Sequence, residues 1–209
     1  ILDADGGDLI FRDGGTEKAR FKGEKLGIGI NPAEMIDVQS NSGDARIRLD
    51  APSGSDTEIK FFNDASAQYT IGHDDATDNF VIGLDNVDTP LVRVNKSGHV
   101  GIGVNPDTFG SGYTALQING YAYNIGHSGG DHYLTNNAYI NSGWKYGQTS
   151  TAQLIQMASG RITLYTAASG SADAAITWNT GLVQESGGNI GIGNTSAASM
   201  HSNANKLVV

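Results

Sequence analysis

The sequence contains no cysteine and only 4 prolines in 209 residues. Without cysteine the chain has neither disulfides nor thiolate metal sites. Cysteine usage therefore does not distinguish an oxidising from a reducing compartment. No stretch approaches the roughly 20 apolar residues of a membrane span, so we expect no membrane insertion. Basic residues are also scarce: 13 Lys and Arg stand against 22 Asp and Glu, for a net charge of −9. Because such a surface repels phosphate backbones, nucleic acid is not an expected partner.

Helical periodicity is nearly absent, and short segments that alternate apolar and polar residues take its place. These segments are DLIFRD (8–13), ARIRLD (45–50), TEIKFF (57–62), NFVIGL (79–84), TALQING (114–120), RITLYT (161–166) and AAITWN (174–179). Turn-forming clusters such as APSGSD and HSGGD separate them. Short strands with frequent turns predict an all-β chain. This pattern excludes a doubly wound α/β domain.

One motif occurs three times, as KLGIGINP (25–32), GHVGIGVNP (98–106) and GNIGIGNTS (188–196). A dinucleotide-binding loop needs Gly-x-Gly-x-x-Gly between a strand and a helix. Pro32, Pro106 and Ser196 occupy the position of the third glycine, and no helical pattern follows. We therefore predict no nucleotide cofactor. Each copy instead resembles a short strand that ends in a turn.

The repeats predict small β-modules arranged along a line, because their spacing is too long and too uneven for a solenoid. LVRVNKSGHVGIG (91–103) is echoed by LVQESGGNIGIG (182–193), and YTIGHDD (69–75) by YNIGHSG (123–129). The predicted division is a leader β segment (1–32), a first module (33–106), a second, aromatic-rich module (107–196) and the start of a further unit (197–209). Modules with so few large apolar residues need neighbours, along the chain or from other chains.

The string SGGNIGIGNTSAAS resembles a signature that recurs in tail fibres and tailspikes of tailed bacteriophages. NNAYINSGWKYGQTS with RITLYTAASGSADAAITWN, and GDLIFRDGGTEKARF, resemble further segments of the same fibres. The resemblance covers most of residues 5 to 196. The last copy of the motif departs from the family by lacking the usual proline, and HDDATD carries more charge than the family pattern.

This resemblance implies an elongated fibre, built as a homotrimer with its chains intertwined or side by side. It implies a location in the virion tail fibre, contacts with other tail proteins, and attachment to a host surface glycan or outer-membrane receptor. Fibres of this family often precede a self-cleaving chaperone, which this sequence does not contain, and we expect the chain to be a piece of a longer protein. The three motif isoleucines, Ile28, Ile102 and Ile192, are predicted to form shared apolar layers on the trimer axis.

Aromatic residues concentrate between residues 121 and 146, and two interpretations stay open. Rings exposed in a groove could stack on the sugar faces of a host glycan, in which case Tyr133, Tyr139, Trp144 and Tyr146 are the candidate contacts. Alternatively, the rings supply the core of a module that has few other large side chains. The resemblance to a shared building block of fibres favours the core.

The histidines and acidic turns give no metal site. His127 and His132 lie in a Gly-rich turn beside Asp131, without the His-x-His pattern by which some phage fibres bind metal, and His73 is interpreted in the same way. The turn from Asp3 to Asp8 fails the calcium-loop pattern, because Gly7 and Gly14 stand where oxygen ligands are required. No metal or other cofactor is predicted.

An enzymatic function is the alternative to a structural and adhesive one, because many tailspikes degrade polysaccharide. Glycoside hydrolysis uses two carboxyl groups, but no pair is singled out; Asp44, Asp50, Asp56 and Glu58, for example, lie in ordinary strand and turn contexts. No Gly-x-Ser-x-Gly nucleophile elbow occurs. We predict no enzymatic activity, with a depolymerase segment as the alternative and a bacterial surface adhesin as a third possibility.

Overall fold

The computed structural model describes residues 7–193 and 195, together with the backbone of 207–208. Every extended regular element in this part of the chain is a β-strand, so the predicted all-β class is confirmed. None of the described residues forms a helix that is long and apolar enough to span a membrane. The chain divides into two compact units, residues 1–50 and residues 51–209. The division into modules at 32 and 106 stays a prediction.

The first unit contains one four-stranded sheet. Its strands are β1 (Leu9–Asp13), β2 (Thr16–Lys22), β3 (Lys25–Ile28) and β4 (Ile36–Val38), in that order across the sheet. The first three form an antiparallel meander, whereas β4 pairs with β3 in parallel. Turns at Gly14–Gly15 and at Gly23 use positive φ angles, which explains the glycines there.

The second unit contains a thirteen-stranded sheet and a separate two-stranded one. The strands before the second motif copy, and the copy itself, are β5 (Thr57–Asn63), β6 (Ser66–Asp74), β7 (Asn79–Gly83), β8 (Pro90–Val94) and β9 (Val100–Ile102). The strands after it are β10 (Tyr113–Ile118), β11 (Ala122–His127), β12 (His132–Asn136), β13 (Ala138–Ile140), β14 (Trp144–Tyr146), β15 (Ser150–Ala158), β16 (Arg161–Gly170), β17 (Asn179–Gln184), β18 (Ile190–Ile192) and β19 (Leu207–Val208). β13 and β14 pair with each other and leave β12 and β15 as neighbours in the large sheet.

The three Gly-Ile-Gly strands, β3, β9 and β18, occupy equivalent positions. Each is the last strand of an antiparallel meander, and each pairs in parallel with the next strand of its sheet. The glycine that follows each strand donates its N–H to the carbonyl of the preceding strand, at 2.8 Å for Gly29, 2.9 Å for Gly103 and 2.7 Å for Gly193. The repeated words therefore encode one repeated element of structure.

Two segments that alternate like strands do not form them. Residues 45–50 pair with no described strand, and the side chain of Ile47 is 71% exposed. Residues 174–178 lie beside β14, where the N–H of Ile176 donates to the Trp144 carbonyl at 2.9 Å. The alternating apolar residues Ile176 and Trp178 pack against the core, and the segment does not form a strand of the large sheet.

The large sheet has two unlike faces, because alternate residues of a strand point to opposite sides. The face that we call covered carries Tyr123, Ile125, Tyr133 and Leu154, which are buried. In the aromatic-rich part, the β13–β14 hairpin and the loops around 103–112 and 171–178 lie over it. The opposite face, which we call open, has no such layer among the described residues.

Candidate functional site

The open face carries a lateral row of aliphatic side chains that continues from strand to strand. In the backbone register, six consecutive strands place these residues side by side: Ile59, Ile71, Ile82, Val92, Ile102 and Ile118. β-branched neighbours across adjacent strands are the pairs that pleated sheets favour. The row runs across both the strands before the second motif copy and the strand after it.

A second row on the same face runs from β7 to β18 and is interrupted only at Asn124. Its apolar members are Phe80, Val94, Val100, Leu116, Leu134, Ile155, Leu164, Leu182 and Ile192. Most side chains of the two rows are only partly covered within the chain, and several count among its exposed large hydrophobic residues. Contiguous apolar surfaces of this extent are typical of interaction sites.

Of the three isoleucines of the repeated motif, Ile102 and Ile192 lie in these two rows, and Ile28 lies in an apolar row of the first unit. Ile28 is 44% exposed, Ile102 41% and Ile192 46% within the single chain. In the first unit Ile28 stands in a row with Phe11, Ala19 and Val38. No other part of the described chain buries the three side chains, and their place on a trimer axis stays a prediction.

The glycines of the motif face the other way, and the chain's own following turn fills the space beside them. A Cβ atom at Gly101 would clash with the carbonyl oxygen of Val104 and would lie 2.9 Å from Pro106 Cδ. Gly27 has the same relation to Ile30 and Pro32. In its first two copies the motif thus places a folded-back Asn-Pro turn on one face of the strand and an isoleucine on the other.

The aromatic residues between 121 and 146 belong mainly to the core. Tyr133 and Tyr146 are each 5% exposed, and Trp144 packs edge-to-face between Tyr133 at 5.2 Å and Trp178 at 5.8 Å. Tyr133 and Tyr146 therefore offer no open ring face to a sugar in this chain, and Trp144 is half-buried. Of the four predicted glycan contacts, Tyr139 lines the polar depression that is described below.

Three further rings complete this core from outside the cluster that the sequence emphasised. Phe109 packs against Tyr123 at 5.7 Å and against Tyr139 at 6.5 Å, both edge-to-face. Tyr165 and Trp178 close the other side, with ring centroids 6.1 Å apart. Single aromatic residues in loops and strands carried no pattern by which the sequence could assign them.

A polar depression opens beside this aromatic core. Its lining residues are Asp107, Thr108, Tyr121, Tyr139, Asn141, Gly147 and Asp173. They come from the loop after the second motif copy, from the β10–β11 turn, from the β13–β14 hairpin and its flank, and from the loop after β16. Segments that are distant in sequence are brought together here, which is why spacing along the chain gave no indication of the site.

Asp107 is held by a network on the covered face. Its Oδ2 accepts hydrogen bonds from the Tyr123 hydroxyl at 2.6 Å and from Gln117 Nε2 at 3.1 Å. Gln117 returns a bond, because its Oε1 accepts the Asp107 N–H at 2.8 Å. Gln117 and Tyr123 are direct cross-strand neighbours in β10 and β11. A buried amide and a buried phenol thus fix the carboxylate at the edge of the depression.

Asp173 and Tyr139 form the opposite side. The Tyr139 hydroxyl donates to Asp173 Oδ1 at 2.6 Å. Asp173 has a φ of 63°, a left-handed conformation that Asp and Asn tolerate better than other non-glycine residues. The backbone N–H of Asp173 donates to the Tyr146 carbonyl at 2.8 Å, which anchors the loop to the β13–β14 hairpin.

Three tyrosines bonded to carboxylates have raised pKa values. Burial, followed by the hydrogen bond to Asp173, raises the pKa of Tyr139 to about 12. Burial and then the bond to Asp107 raise the pKa of Tyr123 still further, and burial with Asp131 raises that of Tyr133. These hydroxyls stay protonated donors across the neutral range.

The raised tyrosine pKa values predict a loss of stability in alkali. Unfolded tyrosines release their protons near pH 10, whereas Tyr123, Tyr133 and Tyr139 hold theirs in the folded chain. Their contribution is therefore complete below about pH 10 and is lost as the pH rises toward the folded values. We expect the melting temperature to fall from about pH 10 upward. The melting temperature of the Tyr139→Phe variant should fall less steeply, because this variant has one fewer tyrosine with a raised pKa. Titration of all 8 tyrosines near pH 10, without loss of β-structure, would contradict this expectation.

The histidines take part in ordinary contacts of hairpins. His127 lies against Tyr113 at 4.5 Å and accepts the Gly129 N–H, while His132 Nε2 is 2.6 Å from Asn124 Oδ1. His73 lies 3.2 Å from Asp78. No group of three His, Cys, Asp or Glu residues suited to a metal occurs within residues 7–193. Asp3 lies outside the described residues.

We expect a chelator to leave the thermal stability unchanged. No described set of side chains completes a coordination shell, so a chelator should remove no ion that stabilises the fold. Melting curves recorded with and without chelator should superimpose. A reproducible drop, or bound metal at His127, His132 or the Asp3–Asp8 turn, would refute the prediction.

A comparison of the chain with protein-family models and with curated proteins finds no match. The open apolar face and the polar depression are therefore the grounds on which a function is assigned, together with the repeated motif.

Proposed function

We propose that this chain is a structural and attachment segment of a bacteriophage tail fibre or tailspike, in which three copies assemble through their open faces into an elongated homotrimer. The observation that carries the proposal is the continuous apolar row from Ile59 to Ile118 on a sheet face that the described chain leaves uncovered. Burial of such surface is the main driving force of association.

The small hydrophobic core of the strands before the second motif copy also supports assembly. In the part of the second unit before the second motif copy, the buried apolar side chains are Val81 in β7 and Val87 in the loop between β7 and β8. Gly72 brings the backbone close to Val87, which leaves no room for a larger core. So thin a core gives little stability of its own, whereas a shared core between chains would supply what is missing.

The repeated motif gives the proposed trimer its regularity. Equivalent strands present Ile28, Ile102 and Ile192 on apolar surfaces, and each is followed by a glycine whose N–H bonds back to the preceding strand. A three-fold axis along such surfaces would bring three copies of each isoleucine together. The unpaired alternating segment 45–50 is available for pairing with another chain, as in intertwined fibres. The resemblance of the motif strings to tail fibres supplies the biological setting.

Light scattering tests the assembly directly. The intact chain should have three times the 21.8 kDa protomer mass at micromolar concentration. Small-angle X-ray scattering should give a cross-section that is small compared with the particle length. A stable monomer, or a compact trimer without a long axis, would contradict the proposed fibre segment.

A depolymerase is the second candidate, and one observation favours it: Asp107 and Asp173 line the same depression. Hydrolysis of a glycosidic bond uses a pair of carboxyl groups on either side of the bond. Release of reducing ends from capsular or lipopolysaccharide glycans distinguishes the two functions. Turnover that Asp107→Asn abolishes would establish the enzyme, and its absence alongside glycan binding would support attachment.

A further inference from the structure

We propose that the polar depression between Asp107 and Asp173 binds an uncharged sugar residue of a cell-surface polysaccharide. The inference rests on the proposed attachment function, because it names the class of receptor that an attachment segment would take. Carbohydrate sites combine aromatic rings with hydrogen-bonding groups held in fixed positions. The depression brings Tyr121 and Tyr139 together with two carboxylates and the Asn141 amide.

The hydrogen-bonding capacity of the depression is only partly used by the protein. Tyr123 and Gln117 occupy Asp107 Oδ2, and Tyr139 occupies Asp173 Oδ1. The other oxygen of each carboxylate makes no hydrogen bond to the described residues. An ionised carboxylate oxygen accepts hydrogen bonds in several directions, and the hydroxyl groups of a sugar ring are donors.

The charge of the depression selects among sugars. Two carboxylates and no cation are found among the lining residues, within a chain whose net charge is −9. A uronic acid, a sialic acid or a phosphate would add a third negative charge at short range, which is unfavourable. Hydroxyl and amide groups of neutral hexoses or N-acetylhexosamines carry no such penalty.

The side chains of the depression are held in place before any ligand arrives. The ring of Tyr121 lies directly on Gly147, where any Cβ atom would clash with it. The Asp107 carboxylate is fixed by partners from β10 and β11. Preorganised groups lose little conformational entropy on binding, which favours affinity for a small ligand.

The position of the depression leaves it accessible in the proposed trimer. Gln117 and Tyr123, which hold Asp107, point to the covered face, whereas the flanking Leu116 and Ile118 point to the open face. Assembly through the open faces would therefore turn the depressions outward, one on each chain. Three sites on one particle would bind a repetitive polysaccharide with avidity far above that of a single site.

The test is titration of the intact chain with defined monosaccharides, followed by ligand-observed NMR. The neutral probes are the methyl glycosides of glucose, galactose, mannose and N-acetylglucosamine; the acidic probes are glucuronic acid and N-acetylneuraminic acid. At least one neutral probe should bind saturably, and neither acid should bind more tightly. Failure of all four neutral probes, or tighter binding of an acid, would overturn the inference.

Asp173→Asn is the variant that tests the site without disturbing its backbone. Asn tolerates the positive φ, and its amide oxygen still accepts the Tyr139 hydroxyl, while the charged acceptor is lost. We expect binding of the neutral probe to weaken about tenfold, as for the loss of a hydrogen bond to a charged group. Unchanged binding would overturn the inference.

Asp85→Asn is the matched control, because Asp85 is also exposed, has a φ of 60°, and does not line the depression. It should bind the neutral probe as the parent chain does. Light scattering of the same samples separates the two proposals. A trimer that binds no neutral probe refutes only the sugar site, whereas a monomer refutes the fibre segment.

Discussion

Replacement of Ile102 by aspartate should abolish the trimer. Ile102 stands in the aliphatic row, between Val92 and Ile118, on the face that the described chain leaves uncovered. A three-fold axis would bring three aspartates together in an apolar layer. Each buried, uncompensated carboxylate costs several kcal/mol unless it becomes protonated. Light scattering should then show a protomer mass of 21.8 kDa or an unfolded chain.

Lys96→Gln is the control for this experiment. Lys96 lies in the exposed turn before β9 and pairs with Asp78 at 2.6 Å on the surface. Removal of an exposed ion pair costs about 1 kcal/mol or less, so the trimer should remain. A trimer of normal stability with Ile102→Asp would place the assembly surface elsewhere and would remove the explanation of the motif isoleucines.

Much of the fold was predictable because hydrophobic alternation reports local pairing. The segments at 8–13, 57–62, 79–84, 114–120 and 161–166 all coincide with strands. Alternation cannot report whether a partner exists. Residues 45–50 carry the same pattern and pair with no described strand, and residues 174–178 use it to cover the core.

Repeated sequence segments have equivalent structures only where a turn fixes the register of the strands. The hairpins at 91–103 and 182–193 share the same backbone bonds: Gly98 N–H donates to the Asn95 carbonyl and Gly188 N–H to the Glu185 carbonyl, both at 2.9 Å. The echo between 69–75 and 123–129 is different. Ile71 lies on the open face, whereas the corresponding Ile125 is fully buried on the covered face. A shift of one position along a strand reverses the faces, and similar letters do not reveal it.

The polar depression could not be predicted from the sequence, because its lining residues are distant from one another in the chain. Asp107 and Asp173 were two acids among 22, and neither stands near the other in the chain. Only the meeting of four loops and turns brings them to one place. Tyr121 and Tyr139 are the lining residues that the aromatic cluster contained, and of these Tyr139 was a candidate glycan contact. Of the other candidate rings, Tyr133 and Tyr146 are buried and Trp144 is half-buried.

Replacement of Gly101 by alanine should destabilise the fold strongly. The new Cβ would meet the Val104 carbonyl oxygen and Pro106 Cδ, both belonging to the turn that folds back over β9. Backbone atoms cannot move aside as a flexible side chain can. We expect a loss of about 3 kcal/mol, the upper end for overpacking, seen as a lower denaturant midpoint.

Gly126→Ala provides the comparison that isolates this cause. Gly126 also lies inside a strand, β11, but the nearest atom to its added Cβ would be the Thr114 carbonyl oxygen at 4.0 Å. Neither glycine has a positive φ, so the two substitutions change β-propensity and chain entropy alike. The two positions differ in their surroundings: Gly101 faces the folded-back turn, whereas Gly126 is exposed on the open face. Equal midpoints for the two variants would show that the folded-back turn yields without cost, and the first glycine of the motif would then need another explanation.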